Sequence, residues 1–576
     1  MGIFIRKTVL VCIFLFISAI CWGANRDFTW SGAGDGVSWT DSGNWNFAGG
    51  SVSTYPDEDG SGTDTADFSP GAALTTSPQA GCTLAALTIG ANGTVTADPA
   101  GITINGDLTG AGTFTASSGT TTLGGNLGIG AFNDNNGTVV FNSNTLLGTI
   151  DYTFHIVQIT GTGSVNTNGR DMTVELDLTG AGALTCPVTA PQEVITVGRD
   201  FTIGSFTAND STVVFNTANV ASVSAHTFND LTISKGAGGN ISFTGDLSVT
   251  NTMTVNAGGY DVSITGTTNS ISDDVDFNNT GSVTLGNGGD TTTFVGGLNT
   301  AVSPSATNIG GTVQTTNTQM DLGAVTMTAN SVIISGTAVL NVASVTDGGS
   351  SFSLDVQDGA ATGTVTFSGN VTINDMDTFG SGYNIVFQGA ANTIDTDTTF
   401  ANTGSVTFGT LNTDNSTFTG GLDTTSCSGT SLAGILQTTD FQMDLCSVTM
   451  TADATVRAGA GAINIASVTD GGSSFSLDVQ SGTAAGTVTF TGNVTINDID
   501  TFSSGYDIVF QGAANTIDTP TTFLNTGNIT FGNGGDSSTF DAGLTATAPA
   551  VINIGGNVQT TDDAMSIGIA SLTAAS

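Results

Sequence analysis

A stretch of about 54 residues occurs twice in this chain almost verbatim. Asp347–Phe400 returns as Asp470–Phe523, an offset of 123 residues, with differences at only eight positions. Landmarks carry the same spacing outward. Asn-Thr-Gly recurs at Asn279, Asn402 and Asn525, and a Gly-Tyr pair ends at Tyr260, Tyr383 and Tyr506. A long fixed period implies an array of one structural unit, each copy burying its apolar face against its neighbours.

Within the unit the apolar residues alternate. In Phe352–Gln357 one face carries Phe352, Leu354 and Val356, and the other carries Ser353, Asp355 and Gln357. Val365/Phe367 and Val371/Ile373 continue the pattern after short breaks, and Phe387 belongs to the same face. The inward set is expected to recur as Phe475, Leu477, Val479, Phe490 and Phe510. Period two is the signature of strands, because successive side chains point to opposite faces. Thr, Val, Ile and Phe fill these strands, while Gly, Asn and Asp punctuate them. The strands are short, and roughly six turns of about 20 residues fit one unit. The fold class expected is all-β, a right-handed single-stranded parallel β-helix (β-solenoid). Right-handedness follows the general preference of parallel crossovers. A β-sandwich array would need a separate core and linker for each period; here the strand-and-turn texture runs through every boundary.

Residues 1–23 read as a signal peptide. Arg6 and Lys7 precede an apolar run from Thr8 to Ile20, and Cys21-Trp22-Gly23-Ala24 is a passable cleavage region. The run is too short to span a bilayer. Export to the outer cell surface or medium is therefore expected. Residues 24–80 hold a tryptophan cluster, Trp30, Trp39 and Trp45, and then a loop-rich passage. Residues 81–278 carry the same strand texture with looser repetition, followed by copies at 279–401, 402–524 and 525–576. The last copy stops mid-unit at Ser576, so a fragment of a longer exoprotein is expected.

The cluster Trp30, Gly32, Trp39, Asn44 and Trp45, with the segment His226-Thr-Phe-Asn-Asp-Leu-Thr-Ile233, resembles large bacterial exoproteins. These are of the autotransporter-associated β-strand-repeat and filamentous-haemagglutinin-like β-helix type. The resemblance implies a cell-surface β-helix, with the tryptophans forming a hydrophobic cap over the first coil. Uncovered solenoid ends expose unpaired strand edges. The alternative role for the tryptophans is a sugar-binding platform.

Charge narrows the partners. The chain has 48 acidic residues against seven basic ones, for a net charge of −41, and only Glu58, Glu175 and Glu193 are Glu. Asp without Glu marks turns rather than helix faces. This balance opposes nucleic acid and anionic membrane surfaces as partners.

Chemistry is sparse. Paired carboxylates could serve glycoside hydrolysis, and Asp375/Asp377, Asp498/Asp500, Asp395/Asp397 and Asp273/Asp274/Asp276 are the candidates. Yet Asp375/Asp377 is copied in the next unit and Asp397 becomes Pro520, which reads as turn chemistry. No catalytic residue is assigned, and no enzyme activity is expected. Gly286–Asp290 and Gly532–Asp536 (Gly-Asn-Gly-Gly-Asp) offer Asp290 and Asp536 as calcium candidates, without the tandem nine-residue repeats of calcium β-rolls. His155 and His226 lack Cys or His at metal-ligand spacing. Cys427 and Cys446 appear together in one copy and lie 19 residues apart, close to one coil; a disulfide is expected between them. The function expected is an adhesin-like stalk that binds an unidentified receptor or glycan multivalently. A polysaccharide-binding or polysaccharide-degrading β-helix and an inert surface-layer scaffold are the alternatives.

Overall fold

The computed structural model describes residues 26–47, 54–188 and 192–574. The expected signal peptide, residues 1–23, lies outside the described residues. The only helical element among those described is a single turn, Ser42–Asn44; nearly everything else regular is strand. The chain is a β-solenoid, and contacts divide it into two compact units, 1–252 and 253–576. That division falls before the expected boundary at 278/279. Repeat geometry begins earlier than the Asn-Thr-Gly landmark: the Asn269 amide already donates to Gly266 O and Thr292 Oγ1, as Asn392 does to Gly389 O and Ser416 Oγ.

The first unit opens with an antiparallel pair. Strand Asp27–Trp30 runs against Trp45–Phe47 in the register Phe28↔Phe47 and Trp30↔Trp45. On its other edge Asp27–Trp30 pairs in parallel with Thr65–Phe68. From there onward pairing is parallel, coil on coil. Thr138–Phe141 stacks on Ile156–Ile159, with Val139 over Val157 and Phe141 over Ile159, all buried. Thr212–Phe215 lies between Val194–Val197 and Asp230–Ile233 in the same manner. Valine, isoleucine and phenylalanine fill the interior because a strand covered by coils above, below and opposite needs an apolar inner row.

In the second unit the outward residues form columns. One runs Asn308, Thr326, Thr346, Thr372, Thr393, Thr417, Gln437 and Arg457, each paired in register with the next. From Thr326 onward one coil takes between 20 and 26 residues, because loops of different length bridge the same strands. Five coils carry Thr326 to Gln437, and a sixth reaches Arg457. The sequence equivalent of Thr326, however, is Thr449, which lies in another column, between Ser431 and Thr469. The repeated unit therefore spans between five and six coils instead of the six expected. Its copies present the same side chains on different sides of the coil stack.

Inside, phenylalanines stack along the coils. Phe367, Phe387 and Phe408 have centroids 5.3 and 5.6 Å apart with nearly parallel rings; Phe490, Phe510 and Phe531 repeat this at 5.1 and 5.5 Å. Leu354, Val356, Leu477 and Val479 are buried as expected. Phe352 and Phe475 are not; they are half-buried, just ahead of strands that begin at Ser353 and Ser476. Gln357, expected outside, is fully buried. Its φ of 59° ends the strand in the left-handed region and swings the side chain inward. There its Oε1 accepts from Ser335 N at 2.9 Å and Gly336 N at 3.0 Å, and its Nε2 donates to Ser335 Oγ at 2.9 Å. Gln480 repeats the burial and the positive φ, and its Oε1 accepts from Ala458 N at 2.9 Å. Gln357→Ala would strand two buried amides of the neighbouring coil. A loss of about 2–4 kcal/mol is expected in urea unfolding, whereas Gln388→Ala, at an exposed site, should change stability by less than about 0.5 kcal/mol.

Candidate functional sites

The Gly-Asn-Gly-Gly-Asp loops are self-closing turns. Asp290, 8% exposed, accepts Asn287 N on Oδ2 at 2.8 Å, and its own carbonyl accepts Thr312 N from the next coil. Gly286, Gly288 and Gly289 have φ of 78°, 117° and 79°, which a side chain would strain. Asp536 makes the same bond with Asn533 N at 2.6 Å. Asp414 occupies the corresponding place in the middle copy without the glycine motif, taking Thr410 N and Leu411 N. Each carboxylate is thus engaged with its own loop, and among the described residues neither Asp290 nor Asp536 belongs to a cluster of three acidic, His or Cys ligand atoms. Calcium requires six to eight oxygen ligands.

Asp375/Asp377 and Asp498/Asp500 lie on outward rows and are held by hydroxyls; of the other candidates, Asp395 accepts from Thr419 Oγ1 at 3.4 Å and Asp276 from Asn299 Nδ2 at 2.9 Å. Asp375 and Asp498 accept from Thr396 and Thr519, while Asp377 and Asp500 accept from Ser353 and Ser476 at 3.1 and 3.2 Å. Asp355 stacks directly on Asp377, and Asp478 on Asp500. Burial, followed for Asp355 by the charge of Asp377 and for Asp478 by that of Asp500, raises the carboxyls of Asp355 and Asp478. A carboxyl raised on folding favours the folded state only when protonated, so stability is lost as pH rises through its folded value. Asp355→Asn and Asp478→Asn are therefore expected to raise the melting temperature at pH 7. The gain should shrink in high salt and vanish near pH 3. A gain that persists at pH 3 would show that charge is not its cause.

Cys427 and Cys446 are buried free thiols, and the expected disulfide is not formed. The 19-residue spacing assumed a uniform coil. Here the register runs from Asp423↔Asp444, 21 apart, to Thr430↔Val448, 18 apart, and Cys427 sits in the turn between. Cys427 Sγ donates to Phe400 O and Asn402 Oδ1, both at 3.7 Å, while Cys446 Sγ pairs with Thr430 Oγ1 at 3.2 Å. Burial, then the neighbouring Cys446, pushes the Cys427 thiol up to about 12.

Trp30, Trp39 and Trp45 are 8%, 1% and 6% exposed. Trp45 packs edge-on against Trp39 at 4.7 Å and Trp30 at 5.1 Å, and Trp30 against Phe68 of the first parallel coil at 4.8 Å. Rings buried in this way have no face left for a sugar; they join the antiparallel pair to the parallel stack. Beside them, Arg26 forms a bidentate pair with the fully buried Asp64, at 2.8 and 2.6 Å.

Several interior polar groups escaped the sequence reading. His226, 7% exposed, lies edge-on to Phe201 at 4.9 Å and touches Ser224 Oγ through Nε2 at 2.9 Å. Burial lowers its pKa to about 4. Lys235 is 3% exposed, lowered to about 8 by burial, with Nζ 3.5 Å from Gly198 O. Glu193 is 1% exposed beside Cys186 and accepts Thr167 Oγ1 at 2.7 Å. The scarcity of Glu was the available signal: Glu193 and Glu175 reach where the shorter Asp of a turn does not, and Glu175 Oε2 meets His155 Nδ1 at 3.0 Å.

Comparison with family models, curated proteins and solved structures finds no match to this chain. No described helix is long and apolar enough to cross a membrane.

Proposed function

We propose that this chain is an exported, adhesin-like β-solenoid stalk that holds a surface receptor or glycan through many weak contacts. The observation that carries the reading is the outward column. Successive coils present Asn, Thr, Gln and Arg in line, neighbouring outward rows add Asp and Asn, and the non-integral repeat distributes equivalent rows around the stack. A polar lattice of this kind offers hydroxyls, amides and carboxylates suited to hydrogen-bonding sugars or polar peptide surfaces. Linked weak sites gain about 10²–10⁴ in apparent affinity over one site. The duplicated, hydroxyl-bonded aspartates favour binding over hydrolysis, which needs a single convergent pair.

A glycan panel printed at low and high density tests this. Retention of the full chain on dense spots alone, with no new reducing ends, is the expected result. New reducing ends would replace the reading with a polysaccharide-degrading enzyme. Failure to be retained at any density, on glycans and on whole cells alike, would leave an inert scaffold.

A further inference from the structure

We propose that Asp134, His155 and Glu175 form a binding site for a divalent transition-metal ion of the zinc and cobalt class. Three successive coils deliver one residue each to the same corner. His155 follows Tyr152–Phe154, Glu175 follows Met172–Val174, and the two strands pair as Thr153↔Thr173 and Phe154↔Val174, so that His155 and Glu175 are stacked neighbours. Asp134 follows Leu127–Asn133 one coil earlier. One ligand atom from each of the three lies within 4.8 Å of the other two, and His155 Nδ1 is 3.0 Å from Glu175 Oε2.

A second observation separates this corner from the aspartate turns. Asp134 is half-buried and its Oδ1 accepts Asn136 N at 3.3 Å, but Oδ2, with less than 1 Å² exposed, has no hydrogen-bond partner among the described residues. A buried carboxylate oxygen left unpaired is costly and calls for an ion or another donor. The donor set selects the ion. Two carboxylates with a neutral imidazole leave a charge of −2 for a dication to neutralise. The imidazole nitrogen favours zinc or cobalt over calcium, magnesium and manganese, which prefer oxygen ligands. Three protein ligands leave a coordination position for water. His155 is one of two histidines in the chain, and the other, His226, is enclosed by aromatic rings.

Untagged full-length chain, stripped with a chelator, would be titrated with Co²⁺ by visible absorption and with Zn²⁺ by calorimetry. One saturable equivalent is expected, undisturbed by millimolar Ca²⁺. His155→Gln, Asp134→Asn and Glu175→Gln should each weaken it at least about 100-fold, since even outer partners of a metal ligand are worth about 10–100-fold. Asp358→Asn, an exposed acid elsewhere, should leave it unchanged. Circular dichroism identifies any variant that misfolds, and the remaining replacements then decide. Absence of a saturable equivalent, or one that survives all the folded replacements, would overturn the site.

Discussion

Phe387→Ala is expected to cost about 3–5 kcal/mol in urea unfolding of the full chain. Phe387 is fully buried, with Phe367 and Phe408 stacked on either side at 5.3 and 5.6 Å and Phe400 edge-on at 6.0 Å. Truncation removes contacts from three rings at once, and the coils cannot collapse into the space, because backbone hydrogen bonds fix their separation. Phe352→Ala, at a half-buried ring ahead of its strand, should cost less than half as much. Equal losses at both positions would refute the inward row. In a solenoid such a loss falls on one coil and its neighbours, so unfolding should also become less cooperative.

Acidification should destabilise the chain through His226 by about 3 kcal/mol. The imidazole titrates near 6.5 when unfolded and about 4 when folded, because burial among Phe201, Phe206 and Phe228 penalises its charged form. Its folded value is depressed, so its full contribution is present above about pH 6.5. That contribution declines as pH falls to about 4, and this group causes no further loss below that. Carboxylate protonation acts over the lower part of the same range and partly in the opposite sense, since it relieves repulsion in a chain of net charge −41. The comparison of wild type with His226→Phe isolates the imidazole. The stability difference between them should change by about 3 kcal/mol from pH 7 to pH 4. Parallel pH profiles would mean that His226 is not held neutral.

Strand identity and inner face were legible wherever alternation ran uninterrupted, as at Leu354/Val356 and Val365/Phe367. Alternation carries no information on where a strand stops, however, and it misplaced Phe352 and Gln357 at the two ends of one strand. The left-handed φ of Gln357 reverses the pattern by one residue, and nothing in the residue type announces it. Coil length was the other hidden quantity. A fixed spacing of 19 suggested a bond between Cys427 and Cys446, but loops lengthen some coils and shorten others, leaving one cysteine in a turn and the other in a strand. The same variability hid Asp134, His155 and Glu175, whose spacings of 21 and 20 mean nothing without the coil register. The mutual burial of Trp30, Trp39 and Trp45 was legible because three large rings so close in sequence have few ways to be buried except against each other.

Spin labels placed on the outward column give the most direct test of the stacked coils. With Cys12 and Cys21 replaced by serine, and the four cysteines of the described residues buried, labels at Thr393→Cys and Thr417→Cys would report on the introduced sites. These two positions are paired one coil apart, about 5 Å between backbones. Strong dipolar broadening of the continuous-wave spectrum is expected for that pair. None is expected for Thr393→Cys with Thr516→Cys, its counterpart in the next repeat, which is stacked instead between Thr495 and Thr539. Broadening in the second pair, or its absence in the first, would contradict the solenoid register on which the whole account rests.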